Sequence, residues 1–144
     1  DAVKFPKAHI EGAQYDFSFS GLKSAVLNYI NGCKMKGESF DPADIAASFQ
    51  KAVVEVLVEN SMRAAEGYGV YKFAIAGGVA SNTALREAME KACEEREIRF
   101  YRPSPIYCTD NAAMIGAAAF YEYLAGTRHG WDLNAVPNLK LGER

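Results

Sequence analysis

The chain predicts an α/β fold, and three observations support that class. Its second half alternates short apolar runs with longer amphipathic ones. Lys72–Ala76, Asn82–Arg96, Ile98–Tyr101 and Asp110–Ala125 read as strand, helix, strand, helix, the order that joins parallel strands through helical crossovers. The first strand runs directly into Gly77-Gly78, a junction suited to a tight turn into a helix. Finally, 144 residues with 49 % hydrophobic content amount to about one domain and suffice to enclose a core.

Each element has its own signal. Tyr15–Phe19 alternates aromatic and polar side chains, the period of a half-buried strand. Ser20-Gly21 breaks it, and Leu22, Val26 and Ile30, at four-residue steps, predict a helix that Asn31-Gly32 ends. Residues 34–39 are expected to form a polar loop. Asp41-Pro42-Ala43-Asp44 is a strong helix start, with an Asp cap, Pro at the first position and a second acid in the first turn. That helix is expected to reach about Glu66, with Ile45, Phe49, Val53, Val56 and Leu57 inward and Lys51, Glu55 and Glu59 in water. Gly67 and Gly69 close it.

In the second half, Leu85, Ala88, Met89 and Ala92 form the inward stripe of the helix after Gly77-Gly78. Pro103-Ser104-Pro105 forces an extended loop. The helix from Asp110 is rich in Ala112, Ala113, Gly116, Ala117, Ala118 and Ala119, small enough to lie close against a neighbouring layer, and Gly126 ends it. Residues 131–144 show no period and are expected to lie as a tail over the surface.

A net charge of −2, with no block of like charge, argues against a chain that grips nucleic acid unaided. Cys33, Cys93 and Cys108 make an odd count without CxxC spacing, so reduced thiols and a cytoplasmic setting are expected rather than zinc or disulfides. No apolar run approaches a membrane span, and the first residues lack the signal-peptide pattern. Opening on Asp1-Ala2-Val3-Lys4-Phe5-Pro6 without Met, the sequence reads as a piece of something longer.

Two places carry candidate chemistry. At Gly77-Gly78, two glycines after a strand let backbone amides approach a phosphate or ring without Cβ interference. Asn82, four residues after Gly78, is either the cap of the next helix (a role open to Ser81 too) or an amide facing ribose hydroxyls. In Tyr107-Cys108-Thr109-Asp110-Asn111-Ala112-Ala113-Met114, Asp110 stands at a helix mouth, where Thr109 or Asp110 can cap the first turn. An acid there is either a cap favoured by the macrodipole or a ligand for a cation. One carboxylate is not a metal site, and His9 and His129 are isolated. Strand order would bring both places to one crevice at the carboxyl ends of the strands. Phe17–Ser24 could place Lys23 with Ser20 or Ser24 near a phosphate, but it lacks Walker spacing, and an ordinary strand-turn-helix capped by Ser20 is the favoured reading.

Three of these segments together resemble one family. Phe17-Ser-Phe-Ser-Gly-Leu-Lys23, Ala76-Gly-Gly-Val-Ala-Ser-Asn82 and Cys108-Thr-Asp-Asn-Ala-Ala-Met-Ile115 stand in the order and approximate spacing of the bacterial TsaD proteins. These are tRNA threonylcarbamoyladenosine biosynthesis transferases. The resemblance implies an actin-like, sugar-kinase-like ATPase fold of two RNase H-like lobes. This chain resembles the C-terminal portion, with residues 1–127 as part of that lobe and 128–144 as a tail. It also implies transfer of a threonylcarbamoyl group from threonylcarbamoyl-adenylate to the adenosine beside the anticodon, in tRNAs that read codons beginning with A.

Carried over by position, Asp110 matches the family's metal-ligand aspartate and Asn82 its nucleotide- or substrate-binding asparagine, while Gly77 and Gly78 match the turn that approaches the adenylate. The implied metal is divalent, usually iron. Its histidine ligands, in a His-x-x-x-His motif, and an upstream Ser-Gly-Gly-His turn are absent from this sequence. The isolated chain is therefore expected to be inactive, with a homodimer as one way to cover exposed surface. TsaB-like and TsaE-like proteins are the implied partners. One rival is a carbamoyltransferase of the hydrogenase-maturation type, which would carry an Asp-Gly-Gly-type sequence where this chain has Thr109-Asp-Asn-Ala-Ala-Met. The other is a non-catalytic lobe that docks a partner.

Overall fold

A computed structural model describes residues 2–7, 12 and 14–140. His9 and the end of the expected tail, 141–144, lie outside the described residues. Chain contacts divide the protein into two units, Asp1–Cys108 and Thr109–Arg144.

In the first unit, α1 spans Ser20–Lys36 and α2 spans Pro42–Gly67. β1 (Lys72–Ala74) and β2 (Arg99–Tyr101) flank α3 (Thr83–Glu94). The strands pair in parallel, with Phe73 opposite Phe100, so the expected strand–helix–strand crossover is present. The start of α2 is as its residues dictate: the Asp41 carboxylate accepts from Ala43 N at 2.8 Å, and Pro42 occupies the first turn. Over 26 residues this helix extends about 39 Å and serves two apolar clusters. Val54, Met62 and Ala65 meet Leu85, Met89, Ala92, Cys93 and Ile98, with Phe73 and Phe100 of the sheet packed against them. Nearer its N-terminus, Ile45 and Ala52 meet Leu22 of α1 and Phe5.

Several expectations are corrected. Tyr15–Phe19 is not a strand; the sheet among the described residues consists of β1 and β2 alone, so no ladder is available to it. The Asp16 carbonyl instead accepts from Asn60 Nδ2 at 3.0 Å, and the Phe17 and Phe19 rings stack. α1 does not stop at Asn31-Gly32 but continues to Lys36. A helical glycine costs about 1 kcal/mol, and the extra turn buries Cys33. The stop is Gly37 at φ 68°, followed by Glu38 N donating to the Cys33 carbonyl at 2.9 Å. Phe49 is exposed, its inward place taken by the smaller Ser48 and Ala52. The strand at Lys72 is covered on one face only: Phe73 and Phe100 point to the core while Lys72, Ala74, Arg99 and Tyr101 are exposed.

In the second unit, α4 spans Ala112–Leu124. Its cap is Asn111, not Thr109 or Asp110: Asn111 Oδ1 accepts from Met114 N at 2.9 Å. None of its side chains is buried, although helices apolar on all sides are normally enclosed. Gly126, at φ 84°, ends the helix as expected, donating to the Tyr123 carbonyl. Residues 128–140 are exposed throughout.

Candidate nucleotide and metal site

β1 leads into the first candidate segment. Ile75 N donates to the Tyr101 carbonyl at 3.1 Å, the last bond that ties this strand to its neighbour. Gly77 then adopts φ 85°, ψ 173°, a region essentially closed to residues with a Cβ. A Cβ there would meet nothing within 4 Å, so the demand for glycine is conformational and the space above it is open. Gly78–Ser81 forms a 3₁₀ turn, closed by Ala80 N donating to the Gly77 carbonyl (3.0 Å) and Ser81 Oγ donating to the Gly78 carbonyl (2.7 Å). Ala80 is buried beneath it, while Gly77, Gly78 and Val79 are exposed. Among the described residues, the N–H groups of these three donate to no protein acceptor, as first-turn amides usually do not.

Asn82 takes the capping role that its position offers. Its Oδ1 accepts from Leu85 N at 2.9 Å, making it the cap of α3. Its Nδ2 donates to Gln50 Oε1 on α2 at 3.0 Å. The side chain is half-buried. Ser81 turns back into the 3₁₀ turn and does not cap.

Sequence reasoning missed Arg86. Only 8 % exposed, it sits beneath the turn and donates from Nη1 to the Ala80 carbonyl at 3.1 Å and from Nη2 to the Pro103 carbonyl. The available signal was its spacing, since it shares a stripe with Met89 and Cys93, three and seven residues on.

The Phe17–Ser24 segment is different. Ser24 Oγ donates to the Ser20 carbonyl at 3.2 Å, and Ser20 caps nothing. Ser20 and Lys23 border a groove of about 740 Å³ between α1 and α2, otherwise lined by apolar residues such as Leu27, Ile30, Phe40 and Phe49. Gly77, Gly78 and Asn82 do not line it.

Asp110 belongs to the second unit, immediately before the Asn111 cap, and is exposed. Asn111 Nδ2 donates to the Thr109 carbonyl at 2.8 Å, which fixes the turn next to it. Among the described residues no three His, Cys, Asp or Glu side chains gather closely enough to hold a metal ion. An exposed carboxylate on an ordered turn suits one position in a divalent metal's shell, with the other ligands from elsewhere. The three thiols are free and buried.

The model of the TsaD family, described as tRNA N6-adenosine threonylcarbamoyltransferase, matches residues 1–117. The chain belongs to the TsaD family. It is 57 % identical over 144 residues to the tRNA N6-adenosine threonylcarbamoyltransferase of Clostridium botulinum strain Hall. It is also 57 % identical over 145 residues to that of Clostridium kluyveri strain ATCC 8527, and 58 % identical over 144 residues to that of Clostridium perfringens strain SM101. Each comparison covers 100 % of this chain and 42 % of the relative. Mixed helices and parallel strands are compatible with the actin-like ATPase fold of TsaD proteins. The matched span includes all four candidate residues, Gly77, Gly78, Asn82 and Asp110. The structure brings the first three together at the carboxyl end of β1, within the first unit.

Proposed function

We propose that this chain is part of a tRNA N6-adenosine threonylcarbamoyltransferase. The whole enzyme transfers the threonylcarbamoyl group of threonylcarbamoyl-adenylate to N6 of the adenosine beside the anticodon. Membership of the TsaD family over residues 1–117 carries this reading. The chain spans 42 % of the length of its curated relatives, so the activity belongs to a larger protein and the chain by itself is inactive. In this reading residues 1–127 contribute to the C-terminal lobe, 128–144 form its tail, and TsaB-like and TsaE-like proteins assemble with the enzyme in the cytoplasm. No helix among the described residues is long and apolar enough to cross a membrane.

The substrate is a mixed carbamoyl–phosphate anhydride, already activated, so transfer requires no covalent nucleophile from the protein. The adenosine amine attacks the carbamoyl carbon and AMP leaves. The task left to the protein is orientation, charge stabilisation and exclusion of water. The exposed N–H groups at Gly77, Gly78 and Val79 are suited to the phosphate or ring of the adenylate. The Asn82 amide, already held by Leu85 and Gln50, borders the same turn and orients the nucleoside. Asp110 would hold one position of a divalent metal, iron in this reading, which when bound would supply a Lewis acid and template.

The test is a chimera in which this chain replaces the matching segment of the Clostridium botulinum relative. The chimera is expected to transfer threonylcarbamoyl, and Asp110→Ala to lose bound metal while retaining its circular dichroism. Metal content unchanged by Asp110→Ala would remove Asp110 from the ligand set. Transfer by the 144-residue chain alone, supplied with partner proteins, would overturn the division of labour.

A further inference from the structure

We propose that Arg86 is a positioning residue that clamps the diglycine turn to the loop after β2. This rests on the nucleotide role assigned above to that turn. Arg86 is buried, with only 8 % of the residue exposed; a guanidinium is costly to bury, and a carboxylate is its usual partner. Here no carboxylate pairs with it among the described residues. Its partners are the Ala80 carbonyl (3.1 Å), the Pro103 carbonyl and the Cys108 thiol (Nη1 to Sγ 3.8 Å).

Those partners lie on two loops. Ala80 is inside the turn Gly78–Ser81 that leaves the carboxyl end of β1. Pro103 and Cys108 flank the 3₁₀ turn Pro105–Tyr107 that leaves the carboxyl end of β2. Strand pairing fixes β1 beside β2 only as far as the Ile75–Tyr101 bond. Beyond it, the Arg86 side chain reaches both segments, at the strand ends where open α/β sheets bind ligands. The guanidinium is planar with its N–H groups in a fixed fork, so it sets the separation of two carbonyls. A lysine carries the same charge as a point and cannot. An apolar side chain of similar volume fills the same space but leaves the Ala80 and Pro103 carbonyls without this donor, so the bridge between loops is the property that needs arginine.

Amide hydrogen exchange on the 144-residue chain tests the clamp with Arg86→Lys and Arg86→Met. The reporters are Ala80 and Asn82 in the turn and Tyr107 and Cys108 in the loop, whose N–H groups bond within those segments. In both variants both pairs are expected to exchange at least about tenfold faster, the loss of charged hydrogen bonds, with the amides around Met89 in α3 unchanged. Protection retained in Arg86→Lys would show that charge suffices and overturn the proposal. So would opening of one segment alone, or equal loss of protection in the α3 core, including failure to fold. In the chimera, Arg86→Lys is expected to raise KM for threonylcarbamoyl-adenylate about tenfold and to change kcat less than about threefold. An unaltered KM in an active chimera would overturn the clamp's bearing on the site. A wild-type chimera without transferase activity would instead defeat the functional reading and leave the exchange result standing.

Discussion

Asn82 offers a sharp separation of a structural role from a binding role. Replacing it with Ala removes the cap bond to Leu85 N and the bond to Gln50. A lost Asn cap costs about 1 kcal/mol, and an exposed side-chain hydrogen bond about 0.5 kcal/mol more. Asn82→Ala should therefore lose about 1.5 kcal/mol, roughly a tenfold shift in the folding equilibrium, read from urea unfolding of the chain. Asn82→Asp keeps an oxygen facing Leu85 N and adds a charge favoured at a helix N-terminus, while losing the donor to Gln50. Its stability should stay within about 0.5 kcal/mol of wild type. If the amide also orients the nucleoside, Asn82→Asp in the chimera should bind AMP about tenfold more weakly despite its normal stability. The reasoning is refuted if Asn82→Asp binds AMP as wild type does, for the side chain would then be only a cap.

Three further outcomes are expected. Met89, 2 % exposed in the α2–α3 cluster, should lose about 2–5 kcal/mol on replacement by Ala. The same change at Ile115, 62 % exposed on α4, should cost less than about 0.5 kcal/mol in this chain. Both are read from denaturant midpoints. Burial pushes the Cys93 thiol up, against a smaller opposing pull from Arg96. The folded chain thus holds this proton more tightly than the unfolded chain. Its contribution is complete below the unfolded thiol's pKa and is lost as pH rises through that range toward the folded value. Stability measured across alkaline pH should fall more steeply in wild type than in Cys93→Ala, and equal slopes would remove the effect.

Local signals decided what was legible in the chain. The Asp41-Pro42 start of α2, the αβ alternation after residue 72, and the inward Leu85, Met89 and Ala92 follow from capping, period and turn chemistry within a few residues. So does the need for glycine at position 77, whose φ of 85° is set by the turn itself. The errors arose where a local preference met a distant requirement. Tyr15–Phe19 has a strand's alternation but no strand to pair with, so Asn60, 44 residues away, takes the Asp16 carbonyl. Gly32 reads as a stop because its cost is local, whereas the burial of Cys33 that offsets it is tertiary. At α4 the choice of Asn111 over Thr109 or Asp110 depended on one residue of register that several polar side chains in a row leave open.

The sequence by itself determined the family and the residue types at the candidate site, because motifs and glycine-dependent turns are written in consecutive positions. Only the tertiary structure decided that Asn82 is tied to both α3 and α2, and that Arg86 joins the loops after β1 and β2. The physical reason is that hydrogen bonds between segments 17 to 32 residues apart depend on the packing of whole helices, and no short-range pattern encodes their geometry.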